Sequence, residues 1–502
     1  MKKHRKLVRV LALVLALLLV GGVLFGTLVS ALSEGETASG NRCELTMEYN
    51  EEAQALRVSQ RLVYVNRTGG ALSQVVFYAA GNMLRRETAL MYESGDLAEV
   101  FFEGYLPGGI ELMDVRFNGA PADYGFRDVN ELTLRVDCDI APGESGAFEF
   151  EYFILLTGCA AFQGVGPTDV RLSAPALVPG RYDAQYGEFI LKTPVAHTRW
   201  LDVPAMDYAA RLTLPEQYEL AATGIETLEA AGDGVRTWYV EAEDARDFAV
   251  SFGRRWRAFE RTTDSGVRIR LLTNARGLSE KALSLAAEAV DRCAEWFGPF
   301  PVAQLDLVQS DYPLDALSFP GTIWLPGALT RANRADDLAH ALRVGIAQQY
   351  FGLAAYVEPV ADAWLSDSVG EYVAAMLLEA AGGHDRFAAM ANRDWVPSLQ
   401  FTVPGGLTVT SDAALFNAED FNTVVRIRGA VVLHELRLAM GEQALLDGLA
   451  AFVRMGAEKD VLTEMDFVHA LDEASGGDWE AFLTDWLFNV DDYVDQSIDW
   501  YE

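Results

Sequence analysis

The sequence is poor in the side chains that build metal and redox centres. Four cysteines, Cys43, Cys138, Cys159 and Cys293, are spread over 502 residues with no CxxC spacing, which argues against a zinc ribbon or a dithiol redox motif. Disulfides and buried free thiols both remain open, with Cys138 and Cys159 the pair closest in sequence. Positive charge is also scarce: 40 Lys and Arg face 73 Asp and Glu, a formal net charge of -33. That field disfavours nucleic acid and anionic lipid surfaces, and it either keeps the chain soluble or attracts cationic peptides. No phosphate-binding glycine motif opens a helix; GCAAFQGVGPTDV at 158–170 reads as a loop between sheets. His434-Glu435 starts like a zinc-helix motif, but Leu438 stands where a second histidine is needed. His197 is isolated beside Arg199 and Trp200, and reads as structural or exposed.

Long apolar runs are confined to the amino terminus. A basic flank at 1–9 precedes an apolar run from Val10 to Leu32, enough to cross a bilayer as a helix at about 1.5 Å per residue. The basic end should stay cytoplasmic, putting residues 33–502 outside the membrane. A cleaved signal ending near Val29-Ser30-Ala31 is the rival and would give a secreted protein. A polar spacer occupies 33–42.

Residues 43–265 read as a sandwich-like all-β domain. Leu56, Val58, Leu62 and Tyr64 alternate on one face, and Asn118-Gly119 and Ala141-Pro142-Gly143 supply turns. From 266 to 395 the pattern is α+β, with an amphipathic helix over 279–297, a strand at 305 and a further strand within SFPGTIWLPGAL. Residues 396–502 read as mainly helical, with strong periodicity from Arg428 to Gly456. Two helical segments within 336–375 are separated by a loop containing Glu358-Pro359.

A helix-borne zinc hydrolase needs two histidines at i and i+4, a glutamate after the first as general base, and an acidic ligand from a neighbouring helix. QQYFG at 348–352 and AWLSDSVGEY at 363–372 resemble the HQWFG and WLNEGFAEY signatures of the M1 aminopeptidase family, and eighteen residues separate Gln348 from Asp367, as that family's motif requires. The resemblance implies a thermolysin-like domain at 266–395, closed by the helical part that follows. It places Val344 and Gln348 at the zinc-histidine positions, Gly345 at the base and Asp367 at the ligand glutamate. Ser318, within DALSFPG, stands at the peptide-binding glutamate, and Arg426, in RIRG, at the transition-state tyrosine.

These substitutions remove the groups that would bind metal, activate water and stabilise an oxyanion. A displaced site of His340, Gln348 and Asp367 would stretch about 12 Å along the helix between its first two members, too far for one zinc. His340 is read as a polar helical residue or a partner of Asp336, and a serine mechanism through Ser318 or Ser366 lacks a marked base. We therefore expect no catalytic residue, metal or cofactor. The expected function is a membrane-tethered extracytoplasmic pseudopeptidase that binds a peptide or protein partner without hydrolysis. The alternatives are a structural subunit of a membrane complex, whose cleft would be filled, and residual or unconventional aminopeptidase-like hydrolysis.

Overall fold

The computed structural model describes residues 40–86, 97–275, 279–313 and 316–488. The expected membrane span at 10–32 lies outside the described residues, as do its basic flank and most of the 33–42 spacer. Among the described residues, no helix is long and apolar enough to cross a membrane.

The amino-terminal half is sheet-rich. Its largest sheet has eight strands in the spatial order Ile225–Gly232, Val235–Ala245, Met206–Pro215, Arg42–Asn50, Ala55–Val65, Ser145–Leu155, Gly109–Phe117 and Ala120–Pro121. Alternation explains why one face is buried: along Ala55–Val65 every second residue, including Leu56, Val58, Leu62 and Tyr64, points into the core. The Asn118-Gly119 turn closes the last hairpin with φ of 50° and 78°, the left-handed pair that a two-residue hairpin of this twist demands. Two four-stranded sheets pack within the same hydrophobic core.

A five-stranded sheet follows, in the order Arg257–Thr262, Arg268–Thr273, Gln304–Ser310, Thr322–Pro326 and Leu317–Phe319. The hairpin of its first two strands spans the expected change of domain at 265/266, so residues from Arg257 onward already pair with this second sheet. Buried charge joins the two halves: Arg270, on the second sheet, pairs with Glu226 from the first and with Asp306 Oδ2 at 3.2 Å.

Three helices carry the central region: α1 (Ser279–Phe297), α2 (Ala335–Tyr350) and α3 (Trp364–Gly382). α1 matches its expected span because Leu283, Ala286, Ala287, Val290 and Phe297 recur on one buried face. A π-helical stretch, Asn422–Arg428, runs into α4 (Gly429–Met440). The periodic run from Arg428 to Gly456 is not one helix: Gly441, at φ 90°, ends α4 before Glu442–Met455 begins. Glu464–Ser475, capped by Thr463 and Asp466, and Glu480–Phe488 complete the helical part.

Candidate functional site

The site is assembled where α2, α3, the π-helical stretch and the edge strand Leu317–Phe319 converge. α2 and α3 approach closely because Gly370 has no side chain; a Cβ there would lie 3.0 Å from Gln348 Cγ. Gly429 does the same for α4, since a Cβ would strike Ser368 Oγ, the group that donates to Val425 O at 2.7 Å. The wider π turn carries Arg426 and brings its guanidinium onto α3.

Asp367 is the hub of this region. Its Oδ1 accepts from Arg426 Nη2 at 3.1 Å and from Gln348 Nε2 at 3.3 Å, and its Oδ2 accepts from Thr198 Oγ1 at 3.3 Å. Three of the six family positions named from sequence therefore form one bonded group. The other three meet around the α2 backbone: Val344 is buried, Gly345 follows it, and Ser318 Oγ donates to Gly345 O at 3.4 Å. A Cβ at Gly345 would lie 2.9 Å from both Cδ1 and Cγ2 of Ile323, so strand Thr322–Pro326 occupies the space a base would need. Val344, Gln348, Asp367, Ser318 and Arg426 are all between 3% and 9% exposed.

Histidines surround this group without entering it. His340 pairs not with Asp336 but with Glu371, Nε2 to Oε2 at 2.9 Å, because one turn of α2 faces α3 rather than its own amino end. Burial alone would raise the Glu371 carboxyl, but the His340 charge and hydrogen bond, with Arg426 and Trp395 Nε1, outweigh it and hold it below its ordinary value. His340 and Gln348 thus belong to separate pairs, and among the described residues no three His, Cys, Asp or Glu side chains form a metal-binding group. His197 meets Ala413 O at 3.0 Å and lies 4.6 Å from the Phe421 ring; burial lowers its pKa. His434, the false motif start, is buried with Nδ1 3.3 Å from Tyr372 Oη. Neither candidate serine nucleophile meets an imidazole: Ser318 bonds Gly345 O, and Ser366 Oγ donates to Phe351 O at 3.2 Å. The four cysteines are free thiols.

Three contributors escaped the sequence reading. Thr198 reaches Asp367 from the sheet-rich half, and its only signal was its place beside His197. Glu371 was legible only as part of the GEY signature. Gln349, 1% exposed, accepts from Gly321 N at 2.9 Å and donates to Phe319 O at 3.1 Å, which pins the edge hairpin to α2.

No protein-family model matches the chain. Aminopeptidase M1-B of Oryza sativa subsp. japonica is 24% identical over 312 residues, covering 57% of this chain and 34% of that protein. Aminopeptidase N of Lactococcus lactis subsp. lactis is 28% identical over 169 residues, covering 32% of this chain and 19% of that protein. The matches thus span about a third or less of those relatives' lengths. Among solved structures, the M1 zinc metallopeptidase of Deinococcus radiodurans superimposes with a TM-score of 0.62 at 18% identity, over 89% of this chain and 92% of that one. A point mutant of it bound to a Tyr-Ser-Ala substrate gives a TM-score of 0.62, also at 18% identity, over 89% and 93%. With the sheet-rich half, the five-stranded sheet and the helical part in this order, the chain has an M1 aminopeptidase-like fold.

Proposed function

We propose that this chain is a pseudopeptidase: an M1-like protein that engages a protein partner without hydrolysing peptides, held at the membrane by residues 10–32. The observation that carries this reading is the guanidinium of Arg426 on Asp367 Oδ1 at 3.1 Å. The solved M1 relatives are zinc metallopeptidases, and the residues here do not fit that ion. Val344 has no donor atom, Gln348 turns its amide N–H toward Asp367, and the one carboxylate of the set already faces a fixed cation. A second cation beside it would be repelled by the first. Without a metal, hydrolysis needs another way to activate water, and the Ser318 and Ser366 hydroxyls bond to backbone carbonyls while the Thr198 hydroxyl donates to Asp367.

Burial at the same positions favours a partner on the outer surface over a peptide in the cleft. Ser318, Val344, Gln348, Asp367 and Arg426 are covered by the chain itself, as expected of the structural-subunit alternative. The edge strand keeps its place through Gln349 while its peptide-binding position is turned to helix backbone.

The test is elemental analysis of the full chain purified without chelator, with release of amino-acid 7-amido-4-methylcoumarin substrates assayed before and after zinc addition. Substoichiometric zinc and no release are expected. Near-stoichiometric zinc with turnover that chelator abolishes would overturn the proposal.

A further inference from the structure

Where the sheet-rich half meets the five-stranded sheet, two carboxyl groups share one guanidinium. Glu226, on the strand Ile225–Gly232, and Asp306, on Gln304–Ser310, have side chains fully closed to solvent. Both accept from the same nitrogen, Arg270 Nη1, which lies 3.2 Å from Asp306 Oδ2. Gln304 Nε2 likewise donates to both, to Glu226 Oε2 and, at 3.2 Å, to Asp306 Oδ1. Ala222 N donates to Glu226 Oε1 at 2.8 Å, and Arg270 Nη2 is spent on Leu220 O at 2.9 Å. If both carboxyls were ionised, two anions around one cation would leave a negative charge uncompensated out of water, which is costly.

The other charges around the group do not supply a second cation. Arg268 is held by Glu260 at 2.6 Å and by Gln304 Oε1 at 3.1 Å, Arg236 pairs with Glu219 at 2.9 Å, and the residue opposite Glu226 on the next strand is the apolar Val240. Glu219 and Glu260 add negative charge near Arg270. Burial and the Glu226 charge push the Asp306 carboxyl well above its ordinary value, against the pull of Arg270 and Arg268. We propose that Asp306 is a carboxylic acid in the native chain, its O–H directed at Glu226, and that this one proton clasps the sheet-rich half to the five-stranded sheet. The proton turns a repulsion into a hydrogen bond and leaves Glu226 and Arg270 as a balanced pair. In the unfolded chain the same carboxyl releases its proton near about pH 3.9, so the stability that the clasp contributes falls as pH rises from there through the higher folded value. The clasp does not depend on whether the chain hydrolyses peptides.

Infrared spectra of the full chain in heavy water at neutral pD test the proton, because a protonated carboxyl absorbs apart from carboxylates. Subtracting the Asp306→Asn spectrum from the parent's should leave a protonated-carboxyl band, and its absence overturns the proposal. Subtracting the Glu226→Gln spectrum should leave the same band, since Asp306 without its anionic neighbour ionises against Arg270. A band that persists in Glu226→Gln would make burial alone the cause and overturn the sharing; this variant gives its reading even where Asp306→Asn fails to fold. Hydrogen exchange, corrected for its intrinsic pH dependence, reads the clasp itself. Protection of the Ala222 amide and its neighbours should fall with rising pH in the parent and stay level in Asp306→Asn, whose amide donates to Glu226 with no proton to lose. Equal pH dependence of protection in the two proteins overturns the clasp.

Discussion

The guanidinium of Arg426 and the carboxylate of Asp367 face each other at 3.1 Å across 59 residues of sequence, both nearly excluded from solvent. A buried pair of this kind is weakly stabilising as a whole and strongly destabilising when halved. Arg426→Met should cost about 3–5 kcal/mol, because Gln348 and Thr198 supply only neutral donors to the stranded carboxylate. Arg426→Met with Asp367→Leu should cost less than the single change. Urea denaturation of the three variants checks this, and additive losses would show the two residues to be uncoupled.

The same pair should hinder zinc binding in a chain given the missing histidines. Val344→His with Gln348→His should leave zinc binding weak, since Arg426 still occupies Asp367, and adding Arg426→Tyr should raise zinc affinity by a factor of ten or more. Equal zinc affinity in the double and triple variants, measured by competition with a chromogenic chelator, would remove Arg426 from the explanation.

Gly345 is held small by its neighbours. Gly345→Glu forces a Cβ to within 2.9 Å of Ile323 side-chain atoms, and such overpacking costs about 1–3 kcal/mol. Replacing a helical glycine returns about 1 kcal/mol. A net loss of stability is expected, and Ile323→Ala should recover more of it in the Gly345→Glu chain than in the parent. Thermal midpoints of the four proteins decide the point.

Neighbouring residues on α4 give stability opposite pH slopes. Burial lowers His434 from 6.5 to about 4, so the unfolded imidazole gains a proton where the folded one does not, and stability falls as pH drops through that window. The whole effect is about 3 kcal/mol at 1.36 kcal/mol per unit. Burial raises Glu435 from 4.5 to about 7, so its unfolded form releases a proton first and stability falls as pH rises through that range. His434→Gln should flatten the acid side of a pH–stability curve, and Glu435→Gln should raise stability at pH 8. A parallel shift at all pH values in either variant would exclude titration as the cause.

The thiols should be inert in the native chain. Burial raises the pKa of Cys43, Cys159 and Cys293, and it pushes the half-buried Cys138 to about 12 with help from Asp137 and Asp139. Iodoacetamide at pH 8 should leave the folded protein unmodified and label four cysteines after unfolding, as counted by intact mass. Fewer than four labels without reductant would reveal a disulfide.

Local sequence determined much of this molecule. Alternation within Ala55–Val65, the apolar face of α1 and the Asn118-Gly119 turn each depend on side chains within a few residues, so their elements were legible in the chain. The register from Gln348 to Asp367 was legible only through the resemblance to the M1 signatures, since the two residues lie on separate helices joined by a loop. Tertiary structure alone decided their partners. His340 turned to Glu371 because α3 packs against α2, and the helical run Arg428–Gly456 broke where Gly441 adopts φ 90°. The arginine on Asp367 and the threonine reaching it from the other half depend on segments far apart in sequence. Electrostatic and steric complementarity acts between surfaces, and the order of residues along the chain does not contain the distances at which those surfaces meet.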